Sequence, residues 1–517
     1  MTTDKADTIH CDYLIIGCGI SGMAMAHLLA KTGASVCVLE RGTHPGGSMR
    51  RFYRKGCPLD TGFHFTTGLS GAFGDMFRYL GMYQALEEVP VDKKIFLADR
   101  NRMFDLPRRQ EEVIEYYAQQ FPEYQEQIRH FLGQEKNIFE TTALFSLDPS
   151  HQSLLTQINF TESDIIPLLQ YVRTLGMPPE LEVLLCSFAI CCSGTPANEI
   201  SLSTLCRINY GLNDNLVRFA DGGDAVIECF MQAVEKYNIR LLTNTQIAEC
   251  IPEAGNGRKE CHKVITSTGK TITFDNCIFS THPIDIFRTI SPISNNVLFA
   301  ERIREFEESC GFFTLWAKVK GGEERDINQP PKASLISYLR KTKLDTLMSP
   351  VEPDNTATGV MTVEEIDSTG KPCETLTVFE NVFPEECAEW EATRIGQRGA
   401  AYQAYKQKRC GELLEKTYRV RPDLEGKLEF LDSASQLTYR DYLSPFGSAY
   451  GVRQKVNQFN IFGRLPIRNF YAIGQNALLP GVFGAMQSSF VLWRKLIGEQ
   501  RYQQEISEYN KTKGFMK

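Results

Sequence analysis

The 517-residue chain lacks the motifs that mark several common enzyme classes. It has no H-E-x-x-H zinc motif, no Walker-type phosphate loop and no pattern that indicates a Ser-His-Asp triad. None of its 16 cysteines forms a C-x-x-C pair, and those in the apolar stretch 186–192 have no paired histidines. These absences argue against a hydrolase, a kinase and a bound metal, and they predict that the cysteines are buried free thiols.

The chain also lacks long basic segments and long apolar segments. The net charge is -7 with no long basic run, which argues against nucleic acid as a partner. No window reaches the length and apolarity of a membrane span, and residues 1–10 lack the apolar core of a secretory leader. We therefore expect a cytoplasmic protein in a reducing compartment, with peripheral contact at a membrane surface left open.

The most informative part of the chain is residues 12–67. It reads as a strand, a glycine loop, a helix, a second strand and a second glycine loop. The apolar run 13–16 is followed by GCGISG at residues 17–22, which fits G-x-G-x-x-G at a strand-to-helix turn. Because the whole unit is in register, it predicts a dinucleotide site more strongly than the glycines alone would.

Each residue of the first loop has its own task in such a site. Gly17 permits the tight turn, Gly19 lets the backbone approach a pyrophosphate, and Gly22 lets the helix pack close on the strand. Ile20 and Ser21 open the helix, whose unpaired N–H groups and partial positive charge would face the phosphates.

The continuation distinguishes between dinucleotides. The second strand, 34–39, ends on Glu40, which can accept hydrogen bonds from ribose hydroxyls and would repel the 2′-phosphate of NADP. Arg41 follows, and then a Gly-Gly pair, 46–47, leads into Ser48 and Met49. This order resembles the glutathione-reductase-type flavoproteins, in which a second glycine loop lies under the flavin half of FAD. We therefore predict FAD as the cofactor.

Three motifs together resemble the phytoene desaturase, carotenoid isomerase and retinol saturase family. They are the Gly-Gly pair with GCPLDTGFHF at 56–65, the segments 438–442 and 447–451, and the closing stretch NFYAIGQNALLPGVFGAMQ at 469–487. The resemblance covers a minority of the residues but brackets the chain in the expected order. It implies an α/β fold, with a glutathione-reductase-type FAD-binding Rossmann fold and an interleaved α+β substrate domain.

The resemblance also extends the set of cofactor-binding residues. It places the backbone of Ile247 at the adenine, and a helix starting near Gly484 would direct its positive end at the flavin. The residues that we predict to bind FAD are Gly17, Gly19, Ile20, Ser21, Gly22, Glu40, Arg41, Gly47, Ser48, Met49, Gly62, Phe63, His64, Ile247, Gly474, Gln475, Gly484, Ala485 and Met486.

We predict that the FAD-binding domain is assembled from residues 1–95, 215–290 and 440–517. The substrate domain then comprises residues 96–214 and 291–439. Predicted strands of the first domain are 240–247, a hairpin formed by 261–266 and 271–274, and 276–280. A helical cap is predicted from 110–139, 161–171 and 180–190, and a floor sheet from 315–320, 334–339, 359–363 and 374–379.

The candidate catalytic residue is His64, because a neutral imidazole beside the flavin could give or take the proton that accompanies hydride transfer. The alternative is that His64 only hydrogen-bonds the flavin or the backbone. Tyr442 and Tyr450 are weaker proton-donor candidates, and Phe63, Phe65 and Phe483 could line an apolar channel. The basic residues Arg50, Arg51, Arg54 and Lys55 have two interpretations, a solvated loop or a counter-charge for phosphates or an anionic substrate.

The leading hypothesis is an FAD-dependent oxidoreductase that saturates or desaturates a carbon–carbon bond of an apolar polyene or isoprenoid. The substrate class is what the resemblance implies, and closing residues 478–484 are nearer to saturase-like than to desaturase sequences. Two alternatives stay open, a reduced-flavin polyene isomerase without net redox change and a non-enzymatic flavin-dependent lipid carrier. No second Rossmann fingerprint is present, so NAD(P)H as electron donor would bind transiently at the flavin face.

Overall fold

The computed structural model describes residues 8–142, 146–150, 161–253, 259–322, 326, 329–458 and 460–513. The strands in these ranges are β1 (Thr8–Ile16), β2 (Val36–Leu39), β3 (Arg51–Arg54), β4 (Cys57–Asp60), β5 (Thr66–Thr67), β6 (Glu88–Leu97), β7 (Arg102–Leu106), β8 (Leu216–Phe219), β9 (Arg240–Leu242), β10 (Ile247–Ile251), β11 (Lys263–Thr266), β12 (Thr271–Phe279), β13 (Gly311–Val319), β14 (Ala333–Leu339), β15 (Ala357–Ile366), β16 (Pro372–Val382), β17 (Leu428–Ala434), β18 (Gly463–Arg464) and β19 (Phe470–Ala472).

The helices are α1 (Ile20–Lys31), α2 (Ala72–Leu80), α3 (Gln110–Gln120), α4 (Gln125–Thr141), α5 (Glu162–Ile165), α6 (Leu168–Thr174), α7 (Pro179–Ser193), α8 (Leu202–Asn213), α9 (Asp224–Lys236), α10 (Pro283–Ile290), α11 (Val297–Arg304), α12 (Gly399–Val420), α13 (Gln436–Tyr442), α14 (Gly481–Ile497) and α15 (Glu499–Lys513). No helix of the described ranges is long and apolar enough to cross a membrane.

The first sheet carries the Rossmann unit. Its strand order is β10-β11-β12-β1-β2-β9, with β19 beside β12 and β18 beside β19. Strands β12, β1, β2 and β9 run parallel, as a strand-helix-strand crossover requires. Near its carboxyl end, β1 is fully buried at Leu14 and Ile15, because both faces of the sheet are covered there. This arrangement confirms the predicted Rossmann fold.

One predicted strand of this sheet is wrong. The stretch 240–247 was expected to be continuous, but β9 ends at Leu242 and β10 begins at Ile247. Asn244 between them has a left-handed backbone with φ of 50°, which an extended strand cannot contain. The N–H of Asn244 donates to the carbonyl of Gly42, and the N–H of Thr245 donates to the carbonyl of Glu40. This segment therefore lies against the end of β2. The hairpin of β11 and β12 is confirmed, and of the predicted strand 276–280 all but the last residue lies in β12.

The second sheet has the order β17-β13-β16-β15-β14-β6-β8-β5, with β7 beside β6. The four predicted floor strands lie in β13, β14, β15 and β16 and are confirmed. Strands β6 and β8 belong to this sheet. However, β8 and most of β6 lie in segments that we assigned to the FAD-binding domain. The domain boundaries stay predictions.

The helical region packs around its own apolar cluster on α3, α4, α6, α7 and α8. Two predicted helices are each divided in two at a proline. The first ends at Gln120 and resumes at Gln125, with Pro122 between, and the second is broken at Pro167. Proline lacks the N–H that a helix interior needs and disfavours helical geometry in the residue before it, which explains both breaks.

Candidate active site

One cavity of about 1060 Å³ is lined by most of the predicted site residues. Pockets for one small molecule typically measure roughly 300–1,000 Å³, so this cavity has room for a dinucleotide and part of a second ligand. Its wall includes these predicted residues: Gly17, Gly19, Ile20, Ser21, Glu40, Arg41, Gly47, Ser48, Gly62, Phe63, His64, Ile247, Gln475, Gly484 and Ala485. Gly22, Met49, Gly474 and Met486 are not among its lining residues.

The first glycine loop is built as its sequence predicts. Gly17 has a φ of 93°, which favours glycine, and its N–H donates to the carbonyl of Leu39 at 2.8 Å. A Cβ atom at Gly22 would lie closer than 3.0 Å to the carbonyl oxygen of Gly17, so this glycine allows helix and strand to touch. A Cβ atom at Gly19 would meet nothing within 4 Å, because that side of the loop opens into the cavity.

Glu40 is held rigidly at the end of β2. One carboxylate oxygen accepts from the N–H of Cys18 at 2.9 Å, and the other accepts from the N–H of Gly42 at 2.7 Å. A carboxylate has about four acceptor positions, so capacity remains for ribose hydroxyls. Arg41 lies beside it and donates to the carbonyl of Leu443 at 2.9 Å.

The second glycine loop lies directly against the first. The N–H of Gly46 donates to the carbonyl of Cys18 at 2.7 Å, and Gly47, with a φ of 54°, comes close to Gly19. Ser48 lines the cavity, and its carbonyl accepts from the N–H of Gly62 at 3.2 Å. The two loops therefore form one continuous surface for an extended ligand.

The closing motif completes the opposite wall. Gly474 has a φ of 108°, and its N–H donates to the hydroxyl of Ser488 at 2.8 Å. Helix α14 begins at Gly481, three residues before the expected Gly484, and Pro480 with its extended backbone occupies the N-cap position. Its first turn, Gly481 to Gly484, lines the cavity, so its unpaired N–H groups face the ligand space.

His64 lies where the cofactor wall meets an apolar region. Its ring stacks on Phe379 with centroids 4.8 Å apart and an interplanar angle of 3°. Its Nδ1 atom is buried without a hydrogen-bond partner, and the nearest carboxylate oxygen, Oδ2 of Asp60, is 3.7 Å away. The apolar region is lined by Phe65, Ile208, Leu212, Phe312, Phe379, Leu479 and Phe483. Phe63 also lines the cavity, as predicted.

A buried charge cluster behind His64 was not found from the sequence. We define it as Asp60, Arg218, Glu365 and Arg51. Arg218 is 1% exposed, and its guanidinium lies 2.7 Å from Glu365 and 3.4 Å from Asp60. Arg51 lies 3.3 Å from Glu365. The signal that could have revealed this cluster is Arg218 itself, a charge inside the apolar strand β8.

The basic residues at 50–55 separate into two groups. Arg50 lines the cavity, whereas the other three pair with carboxylates of distant elements. Besides Glu365, Arg51 pairs with Asp224 at 3.0 Å. Arg54 and Lys55 contact Asp432 and Glu429 on β17. The counter-charge interpretation therefore stays a prediction for Arg50 alone, and the other three tie the second glycine loop to its surroundings.

Two further wall residues were missed, although they follow β12, where parallel strands present ligand-binding carboxyl ends. Thr281 lines the cavity with its hydroxyl oxygen buried and without a hydrogen-bond partner. His282 accepts from the N–H of Ile284 through Nδ1 and contacts Glu308 through Nε2 at 3.0 Å. The unpartnered Thr281 hydroxyl indicates that a polar ligand group belongs at this point.

Three tyrosines line the same cavity. Burial raises the pKa of Tyr450 well above its usual value, and Tyr442 is 55% exposed. Tyr439, which the sequence did not single out, donates its hydroxyl to the carbonyl of Thr61 at 2.7 Å, and burial raises its pKa. Burial therefore keeps Tyr439 and Tyr450 neutral and Tyr442 faces solvent, so His64 remains the candidate for proton exchange.

The residues of this wall fit FAD. The open side of Gly19 admits a pyrophosphate, Glu40 retains acceptor capacity for a ribose, and Thr281 offers an unpartnered hydroxyl. The N-termini of α1 and α14 both face the cavity, so two separate helix ends can stabilise negative charge there.

Comparisons with known proteins agree with this site. A family model described as an NAD(P)-binding Rossmann-like domain matches residues 15–80. All-trans-retinol 13,14-reductase of Macaca fascicularis is 23% identical over 94% of this chain and 86% of its own length. Carotenoid 3,4-desaturase of Haloarcula japonica is 24% identical over 53% of this chain and 54% of its own length. A solved structure of putrescine oxidase, a triple mutant, superposes with a TM-score of 0.62 at 13% identity, covering 95% of this chain and 99% of that one.

The fold and the site define an FAD-dependent oxidoreductase of the glutathione-reductase type. Within this class, the chain is similar to retinol reductases along nearly its whole length and to a carotenoid desaturase along about half of it. These similarities confirm the resemblance to the phytoene desaturase, carotenoid isomerase and retinol saturase family.

Proposed function

We propose that this chain saturates or desaturates a carbon–carbon bond of an apolar polyene of the isoprenoid type, with saturation as the working direction. The observation that carries the proposal is the single cavity, in which the dinucleotide wall continues into an apolar region with His64 at the junction. Proteins whose names state reduction of a retinol or desaturation of a carotenoid are among the relatives.

The residues divide the work between binding and chemistry. FAD, when bound, supplies or accepts the hydride. The glycine loops and Glu40 hold the dinucleotide, and the first turn of α14 offers positive charge to the flavin end. The aromatic wall orients an apolar chain and excludes water, while His64 is the group that holds or gives the accompanying proton.

Saturation is favoured over desaturation by the extent of the similarity. The retinol reductase matches 94% of this chain, whereas the desaturase matches 53%. Saturation consumes two electrons per double bond, so the enzyme needs a donor. We propose a nicotinamide that reacts transiently at the flavin, because the sequence contains no second Rossmann fingerprint.

We also propose that the protein collects its water-insoluble substrate at a membrane surface. Helix α11 begins with Val297 and Leu298, which are consecutive in the sequence and are 66% and 77% exposed. Two large apolar side chains in solvent at one helix end favour such a contact. Co-sedimentation with neutral phospholipid vesicles should fall when both are changed to Ser.

The deciding experiment is anaerobic absorbance of the FAD-loaded protein at the flavin band. NAD(P)H should bleach the band, and all-trans-retinol or a carotene should then restore it with one saturated bond per flavin. Bleaching by the polyene alone would mean desaturation. An isomerised polyene without stoichiometric reoxidation would mean isomerase activity, and a flavin that exchanges no electrons with any polyene would contradict the proposal.

A further inference from the structure

His64 is constrained on two sides by groups that leave one of its nitrogens for the cavity. Phe379 covers one face of the ring in a parallel stack. Asp60, four residues earlier in the chain, lies on the Nδ1 side at 3.7 Å. Nδ1 is sealed from solvent, so Nε2 is the nitrogen available to a ligand. Asp60 itself does not line the cavity.

Asp60 is kept ionised although it is buried. Burial acts to raise the pKa of this carboxyl, but the charge of Arg218, together with His64 and Arg51, outweighs it and holds the pKa below its ordinary value. The buried charge cluster contains two carboxylates and two guanidiniums, so its charges balance within the core. Of the three tyrosines that line the cavity with His64, Tyr439 and Tyr450 stay neutral because burial raises the pKa of each.

We propose that Asp60 is a positioning residue whose carboxylate accepts the Nδ1 proton of His64 and so presents Nε2 to the substrate. The inference rests on the proposed function. The separation of 3.7 Å exceeds hydrogen-bonding distance, but catalytic hydrogen bonds are often long without ligand and shorten in the complex. The guanidinium of Arg218, 158 residues away in the sequence, contacts the carboxylate of Asp60 and holds it in place.

The atoms and electrons balance as follows. Saturation breaks one carbon–carbon π bond and forms two C–H bonds. One new bond takes the hydride, with both electrons, from the reduced flavin, and a nicotinamide-class donor restores that hydride. The other takes the Nε2 proton from the doubly protonated ring of His64, which is left neutral with its proton on Nδ1, and solvent later returns the Nε2 proton. Throughout, the Nδ1 proton stays on His64, directed at Asp60.

The test compares Asp60→Asn with a matched control. The side-chain N–H of an asparagine can donate to Nδ1 and thereby favour the neutral ring with its proton on Nε2. The proposed cycle needs the other neutral form, with the proton on Nδ1. Asp224→Asn is the control, because Asp224 pairs with the far side of Arg51 and does not contact His64. We expect Asp60→Asn to lower kcat about 100-fold or more with FAD content and KM near wild type, and to alter the pH profile of kcat. Asp224→Asn should keep the wild-type kcat and the wild-type pH profile.

A second readout does not depend on turnover. Imidazole ¹⁵N NMR of selectively labelled protein, with His64→Gln to assign the signal, should show a proton on Nδ1 of His64 in the wild type and its loss in Asp60→Asn. An Nε2–H neutral ring in the wild type, or an unchanged pH profile in Asp60→Asn, would overturn the inference. A wild type that binds FAD but saturates no polyene would instead contradict the proposed function.

Discussion

Gly19 and Gly22 belong to one loop but meet opposite surroundings. The space beside Gly19 is empty cavity, whereas the space beside Gly22 is filled by the backbone of Gly17. Gly19 also has a φ of -78°, which any residue can adopt. A methyl group therefore tests ligand binding at one position and folding at the other.

We predict that Gly19→Ala folds with a thermal midpoint close to wild type but binds FAD at least ~10-fold more weakly, because the new methyl group enters the pyrophosphate space. Gly22→Ala should lose roughly 1–3 kcal/mol or more of stability in the FAD-free protein, because helix and strand must separate. Apoprotein melting and FAD titration measure both. Equal FAD affinity in Gly19→Ala and wild type would contradict the assignment of the cavity to the cofactor.

Gly359 provides a second test at this scale. It lies opposite Phe379 on β15 and β16, and a Cβ atom there would come closer than 3.0 Å to the ring. Gly359→Ala should displace Phe379 from His64 and lower kcat by roughly 10-fold or more at normal FAD content. Gly411→Ala, on α12 with open space around it, is the control and should keep full activity. If both variants turned over equally, the stack would have no role in catalysis.

At the scale of elements, α4 and α8 enclose a buried carboxylate. Glu135 is 0% exposed and accepts hydrogen bonds from Asn209 at 2.7 Å and from Gln110 at 3.1 Å. Burial raises its pKa to about 7, against the opposing effect of these amides. Lys93 lies nearby, and burial lowers its pKa to about 8.

The pKa of Glu135 predicts a pH effect of definite sign. A carboxyl whose folded pKa is raised from 4.5 to about 7 contributes stability that is complete below 4.5 and is lost as the pH rises through 7. Glu135→Gln removes this loss. Its stability relative to wild type should therefore increase by on the order of 2 kcal/mol between pH 5 and pH 7. Thermal midpoints of both proteins at the two pH values measure this, and a constant difference would refute it.

The elements also show where prediction from sequence succeeds. The dinucleotide loop was predictable because turn, helix and strand signals lie within a few dozen residues. The breaks at Pro122 and Pro167 were also open to prediction, because proline disfavours a helix interior. The predicted helices followed the spacing of the apolar residues and ignored these prolines. In the buried charge cluster, Arg218 was open to prediction as a charge in an apolar strand, but its partners Asp60 and Glu365 were not, because they meet it only through the packing of separate strands.

At the scale of the whole molecule, the cofactor wall collects residues from both ends and the middle of the chain. Gly19, Ile247 and Gly484 line one cavity, and the hydroxyl of Ser489 on α14 donates to the carbonyl of Ser21 on α1. A ligand that spans this wall should stabilise all of it together.

We therefore predict that FAD raises the thermal midpoint far more than FMN or ADP, each of which reaches only part of the wall. At 100 times its dissociation constant, a ligand that binds only the folded state adds about 2.7 kcal/mol. Differential scanning fluorimetry of apoprotein with each ligand measures the effect. An equal shift with ADP would mean that the flavin end of the wall contributes nothing to binding.

The long reach of β1 has a consequence for biosynthesis. The side-chain hydroxyl of Thr273 on β12 donates to the backbone carbonyl of Ile9 on β1, and the two residues are 264 positions apart in the sequence. At about 5–20 residues per second, the ribosome needs roughly 13 to 50 s to supply that partner. During this interval one edge of an apolar strand stands unpaired on the nascent chain, which makes it a target for chaperones. The cavity can be closed only after α14 has emerged, because the first turn of this helix forms part of its wall.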